Sequence, residues 1–434
     1  DTEVSPSPVQ EQPHHTARLE PTDWVVAAVL TLSVSIACFF IAESIPAFLL
    51  QSMDFWFESD TVREVSNMTS TTDDHSRTSV HPLFSILTFV PVYLVKHALA
   101  IPPLQAVLYV TSILAGVWVG ALSLLLRLMG CRTLDASVST AHGLSSASAI
   151  FWLPVPNSYT WGSWSIMISL ALLLLAEQHR VGALSYVLAS AFTLSITVTN
   201  WMAGLLTTLA RWPFKQAVQL SINAFCLVVL LWGAQKFIFP SAEFFIGSRK
   251  EANWINHPQS GQASNIASSF VFPTLIAPAI RFIDDDGYIQ VGDDSVRLAQ
   301  RLAFQFSTPG SAGPLGLIAV CLWSALLLNG LWRLVTMDRQ LRFRLVLATL
   351  LLFELSLHMV YGEETFTYSL NFTPLLIALA ALGTLSPGRP AVLVLAGLLA
   401  LCAVINNWQQ FRQATESATH FTPQRDAMTS LMRN

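Results

Sequence analysis

The sequence predicts an all-α fold: a polytopic transmembrane helix bundle of about eleven spans with a helical, juxtamembrane first outer loop. Three observations carry that expectation. Of the 434 residues 53% are hydrophobic. Only 12% are Asp, Glu, Lys or Arg, about half the roughly 25% of a soluble domain. The apolar residues also come in stretches long enough to cross a hydrocarbon core of about 30 Å, which takes roughly 20 residues of helix.

In chain order these stretches cover 24–50, 104–126, 137–153, 161–176, 181–199, 201–212, 217–239, 314–335, 341–361, 366–385 and 391–405, the sixth being the shortest. A further apolar stretch, 82–98, carries Lys96 and His97 and stops before Pro102-Pro103. It is expected to lie on or dip into the membrane without crossing. With that choice the short cytoplasmic connections hold ten basic residues: Arg127, Arg132, Arg180, Arg211, Lys215, Arg333, Arg339, Arg342, Arg344 and Arg389. The short connections on the other side hold none. Lys and Arg are retained on the cytoplasmic side, so the amino terminus is expected inside and the carboxyl terminus outside.

Around the spans the chain divides into a disordered cytoplasmic tail (1–21), a transmembrane module (22–239) that includes outer loop 51–81 and interfacial helix 82–98, a second outer loop (240–313), carboxyl-terminal helices (314–407) and an outer tail (408–434). The tail 1–21 is too poor in apolar residues to order itself. No basic segment precedes a short apolar run with a cleavage site, so the first span is expected to be a retained anchor. The acidic run Asp284-Asp285-Asp286 and Asp293-Asp294, set around Gly287 and Gly292, is expected to be a solvated hairpin, since EF-hand spacing is absent.

The same arithmetic excludes several functions. A formal net charge of −4 with no basic run leaves nucleic-acid binding without a footing. The five cysteines are scattered, with no CxxC or Cys/His spacing for zinc or a disulfide framework.

Chemistry is expected where ionisable residues gather at the membrane edge, because charges inside a bilayer are costly. The first outer loop holds Asp54, Glu58, Asp60, Glu64, Asp73 and Asp74 with Arg63, Arg77, His75 and His81. Its first half patterns as an amphipathic helix, with Phe57, Val65 and Met68 on one face and Asp60, Arg63, Glu64 and Asn67 on the other. The second gathering is the outer end of the ninth span, where Glu354, His358 and Tyr361 share a helix face and Glu363 and Glu364 follow at its mouth. Glu354 and His358 one turn apart also read as a satisfied internal pair. A divalent metal is an option, with Glu364 and His358 joining His75, Asp73 or His81, but no HExxH-like spacing supports it. Asn67-Met68-Thr69 fits a glycosylation acceptor.

This layout resembles the GT-C superfamily of membrane glycosyltransferases, the group of the protein mannosyltransferases and the aminoarabinose transferase. The resemblance rests on Glu58-Ser59-Asp60-Thr61-Val62-Arg63 after the first span, on His81-Pro82-Leu83-Phe84, and on the apolar stretch ending at Pro102-Pro103. It covers roughly residues 24–186. Here Ser59-Asp60 stands where the superfamily has Asp-Glu, and one proline stands where many members have two. The resemblance implies transfer of a sugar from a polyprenyl-phosphate donor to a lipid, glycan or protein acceptor on the outer face of a membrane, the bacterial inner membrane being the first expectation. It implies Asp60 as base and His81 as the start of the substrate-facing motif. Arg63, Arg77, His75 and His81 would stabilise the departing phosphate, Arg281 is a further phosphate candidate, and Asp74, His358, Tyr361, Glu363 and Glu364 complete the expected substrate contacts. The rival readings are a lipid-linked-substrate transporter relaying protons through Glu43, Glu354 and His358, and another envelope transferase, such as an O-antigen ligase, that uses the second outer loop.

Overall fold

A computed structural model describes residues 19–46, 49–50, 54–247, 255, 261–284, 288–291, 294–297 and 300–432. Most of the chain expected as tail 1–21 lies outside the described residues, as do Asp285, Asp286, Gly287, Gly292 and Asp293 of the acidic run.

The chain is mostly helical. Among the described residues seven helices are long and apolar enough to cross a membrane, which makes this a membrane protein. Helix α1 (Pro21–Ser44) leads, the short α2 (Thr61–Thr69) lies within the first loop, and α3 (Phe84–Leu99) and α4 (Pro103–Leu128) follow. Next are α5 (Thr133–Leu144), α6 (Ala147–Trp152), α7 (Tyr159–Gln178), α8 (Ala183–Ile196), α9 (Trp201–Arg211) and α10 (Phe214–Ile238). The last third carries α11 (Ala263–Val271), α12 (Pro314–Thr336), α13 (Leu341–His358), α14 (Ser369–Ala381) and α15 (Arg389–Met432). The long apolar ones are α1, α4, α7, α10, α12, the stretch Thr365–Leu385 that contains α14, and the first part of α15.

The other expected spans are built differently, each for a visible reason. Stretch 137–153 breaks between α5 and α6, where the Ser146 hydroxyl accepts from the Ala149 N–H and caps a new helix start. Helices α8 and α9 are short because Thr197 to Asn200 is non-helical between them. Helix α13 has 18 residues but carries Arg342, Arg344 and Glu354.

The second loop departs from all-α. Strands β1 (Arg281–Asp284) and β4 (Gln300–Ala303) pair antiparallel, with β2 (Tyr288–Val291) and β3 (Asp294–Arg297) paired inside them. A solvated hairpin is the expectation around the acidic run; the structure has one antiparallel pairing nested within another.

Helices α1 and α4 pack antiparallel and close. A side chain added at Gly116 would run into the Thr31 carbonyl and Ser35 hydroxyl, and one at Gly120 into the Thr31 hydroxyl. The small-xxx-small spacing is what lets two membrane helices approach backbone to backbone. At the amino-terminal end of α1, buried Asp23 accepts from Arg127 at 2.6 Å, and nearby Asp135 accepts from Arg389. At the other end of α1 lies the cavity.

Candidate active site

The segment before α2 is set by one aromatic side chain. Phe57 is fully buried, its ring 4.7 Å from that of Phe304, 5.0 Å from Phe366 and 5.5 Å from Phe151. To reach that cluster the backbone takes left-handed values at Asp54 (φ 62°), Phe57 (53°) and Glu58 (60°). Non-glycine residues pay for such conformations and hold them only where the surroundings insist. Here the Leu302 N–H donates to the Phe55 carbonyl at 2.9 Å, and the Thr367 hydroxyl donates to the Phe57 carbonyl. Phe57 is therefore not on the amphipathic helix, as its spacing predicts, but ahead of it.

Helix α2 buries Met68 against Val92 of α3 and Ala106, Val107 and Val110 of α4, the expected apolar face. Asn67 is buried as well, so the glycosylation tripeptide is not presented to solvent. Gln235 holds α3 in place, its amide donating to the Pro82 carbonyl at 2.8 Å while its oxygen accepts from the Ile86 N–H at 3.1 Å.

At the carboxyl-terminal end of α1 the structure encloses a cavity of about 280 Å³. One wall is Glu58, Asp60 and Glu64, with Arg77 and His81 beside them; Ser158 and Tyr159 at the start of α7 and Thr197 to Thr199 close another side. Glu354, His358, Tyr361, Tyr368 and Asn371 form the last. A recess of about 10 Å³ shares Asp60, Glu64, Arg77 and His81 and reaches Arg63. So two distant parts of the chain meet: Asp60, Arg77 and His81 from the first loop with His358 and Tyr361 from the ninth expected span.

Charges at this wall are arranged in pairs. Asp60 pairs with Arg63 three residues on, and the Arg77 Nε lies 4.0 Å from the same carboxylate. Burial pushes the Glu64 carboxyl up to about 7, against the opposing pull of Ser158, Arg63 and Arg77. Across the cavity the His358 ring stacks on Tyr368 at 4.9 Å, and its Nε2 is 3.7 Å from Glu354.

His81 lines both cavity and recess, and it does so as a neutral ring. Its Nδ1–H donates to the Ile196 carbonyl at 2.8 Å, and burial beside Arg77 pushes its pKa down to about 3. His75 leaves the site altogether. It is fully buried, Nε2–H donating to the Ser70 carbonyl at 3.0 Å and Nδ1 lying 2.8 Å from the Ser85 hydroxyl. Burial pushes its pKa down as well. Asp74 is exposed and accepts from the Ser76 N–H at the start of the turn Ser76–Ser79. Arg281 is exposed in β1 and lines neither cavity nor recess.

Glu363 and Glu364 lie behind the wall rather than on it. Arg301 pairs with Glu58 and reaches Glu363 at 3.5 Å. Buried Glu364 accepts from the Phe304 and Gln305 N–H groups, while its own N–H donates to Glu58 at 3.0 Å. Burial pushes Glu364 up to about 7 and Glu58 well above the usual carboxylate range, with Arg301 opposing both. The cluster ties the first loop, the second loop and the mouth of α13 together. Sequence reading missed Arg301, although a lone cation in the apolar context Leu302-Ala303-Phe304, with a pair of glutamates to neutralise, was the available signal. It also missed Ser158 and Tyr159, which sit at a helix start with no charged neighbour in sequence. Among the described residues no three His, Cys, Asp or Glu side chains are grouped to hold a metal ion. The His75, His81, His358 and Glu364 set does not fit one, because His75 and Glu364 are committed elsewhere. No model of a known protein family matches this chain, and no curated protein matches it.

Proposed function

We propose that the chain is a membrane glycosyltransferase that moves a sugar from a polyprenyl-phosphate donor to an acceptor hydroxyl at the outer membrane face. One observation carries the reading. Three carboxylates and the Arg77 guanidinium line a single cavity beyond the carboxyl-terminal end of the first helix, and Glu354 and His358 open into that same cavity. A transporter relay would place those two in a separate midplane site. At about 280 Å³ the cavity is just below the roughly 300 Å³ at which small-molecule sites begin, a size suited to one sugar ring.

In this reading the acceptor oxygen attacks the anomeric carbon, the bond to the phosphate oxygen breaks, and its electron pair leaves with the polyprenyl phosphate. A carboxylate of the wall takes the acceptor's proton, Asp60 being the one the resemblance points to. Arg63 and Arg77 receive the phosphate, since a guanidinium binds phosphate oxygens in a fork. One displacement inverts the anomeric centre once. The polyprenyl chain lies along the exposed apolar helices. The shorter helices α5–α6, α8, α9 and α13 cross together with the seven long ones, giving about eleven spans, with the amino terminus cytoplasmic and the membrane a bacterial inner membrane.

The test is release of polyprenyl phosphate from radiolabelled polyprenyl-phosphate hexoses and pentoses by the purified protein in lipid nanodiscs. Wild type is expected to turn over at least one donor, and Arg77→Ala to lose donor binding. No release by a folded wild-type protein, or full turnover by both Arg77→Ala and Asp60→Ala, overturns the reading.

A further inference from the structure

The two carboxylates nearest the arginines are not equivalent. Asp60 is engaged: Arg63 pairs with it and Arg77 stands 4.0 Å away. Glu64, one helical turn on, is hydrogen-bonded by Ser158 but keeps a buried Oε2 with no hydrogen-bond partner among the described residues. It is one of four residues that line both the cavity and the recess, the others being Asp60, Arg77 and His81. A buried carboxylate oxygen without a donor is costly, and a site keeps one when a ligand supplies the donor.

We infer that Glu64, not Asp60, takes the proton of the acceptor hydroxyl, while Asp60 aligns Arg63 and Arg77 for the leaving phosphate. This rests on the glycosyltransferase reading. The acceptor O–H donates to the Glu64 Oε2; as the new C–O bond forms and the C–O(phosphate) bond breaks, the proton passes to Glu64 and the electron pair leaves on the phosphate. Chemistry separates the two acids. Asp60 is occupied by the guanidinium groups of Arg63 and Arg77, which its carboxylate holds in place. Burial places Glu64 near 7, where a general base works best at neutral pH. The groups facing it are Asp60 and Arg63 on its own segment, Arg77 and His81 from the turn after it, and Ser158 and Tyr159 from α7. His81 is neutral throughout the working range, so it does not compete for the proton.

The experiment compares wild type with Glu64→Gln, Glu64→Asp and Asp60→Asn, all full-length in nanodiscs, using a polyprenyl-phosphate sugar that wild type turns over and, separately, binding of polyprenyl phosphate alone. Glu64→Gln is expected to lose roughly 10²- to 10⁴-fold in kcat with polyprenyl phosphate binding unchanged. The wild-type rise in kcat/KM toward a bend near pH 7 is expected to vanish in Glu64→Gln, and Glu64→Asp to recover part of the rate. Asp60→Asn is expected to weaken polyprenyl phosphate binding while keeping the bend. The inference is overturned if Glu64→Gln, folded by thermal scan, keeps the rate and the bend, or if the bend is lost only in Asp60→Asn. A wild type that releases no polyprenyl phosphate from any donor is a different failure, since it removes the glycosyltransferase reading itself.

Discussion

Arg301 offers the sharpest physical test of how the site is held. Its side chain is 8% exposed and that of Glu58 12%, so neither charge has water to fall back on. Glu363 and Glu364 crowd the same guanidinium. Arg301→Met keeps the bulk of the stem and removes the charge, leaving three carboxylates with no cation between them. Breaking a buried pair by removing one partner costs roughly 3–5 kcal/mol. At roughly 2 °C per kcal/mol, that is a depression of roughly 6–10 °C in Tm.

The effect carries a pH signature. Glu58 and Glu364 already have folded-state values above their ordinary ones, Glu364 at about 7 against 4.5. A raised carboxyl costs nothing while protonated in both states, and its cost grows as pH climbs from the ordinary value to the folded one. Without Arg301 the folded values climb further. The gap between Arg301→Met and wild type is therefore expected to be small at pH 5 and larger at pH 8, still growing as pH rises, read by thermal unfolding of the detergent-solubilised protein. Adding Glu58→Gln is expected to restore part of the loss at pH 8. A gap that is absent at pH 8, or equal at both pH values, refutes the reasoning.

Three further outcomes follow from the packing and the charges. Phe57→Ala empties a fully buried aromatic position and is expected to cost roughly 3–5 kcal/mol, seen as a lower Tm and as loss of the cavity's ligand binding. Gly116→Val forces α1 away from α4 and is expected to lower both Tm and yield of folded protein, whereas Gly397→Val, where an added side chain meets nothing, leaves both unchanged. Glu64→Gln removes a buried charge whose folded value is about 7; its Tm is expected to match wild type near pH 4.5 and to exceed it increasingly up to pH 7, a constant difference across that interval being the contrary result.

Much of this was legible in the sequence, and the limits have physical causes. Apolar length revealed the long helices because hydropathy is a local property. Where the chain breaks a span, as between α5 and α6, the decision belongs to one cap at Ser146, which composition does not register. A common site for Asp60, Arg77, His81, His358, Tyr361 and Glu364 was expected from residue type, and of these all but Glu364 line the cavity; the seating of Glu364 behind the wall was not expected. Nor was the placement of His75, because nothing in its neighbours distinguishes a histidine sealed between Ser70 and Ser85 from one facing a ligand. Arg281 and Arg301 are alike in sequence context; antiparallel pairing in β1 and β4 places the first in solvent and the second against Glu58.

The Glu58–Arg301 contact has a consequence for biogenesis. Membrane helices are delivered in chain order, so Glu58 emerges long before Arg301 leaves the ribosome. Until then the first loop carries an acidic group with no assigned counterion, next to a phenylalanine whose aromatic neighbours Phe304 and Phe366 are equally late. The half-made protein is thus expected to hold an open first loop that only the final helices can shut, which makes the arrival of the second loop a checkpoint for quality-control proteases and separates a truncated chain from a finished one by the accessibility of residues 54–60.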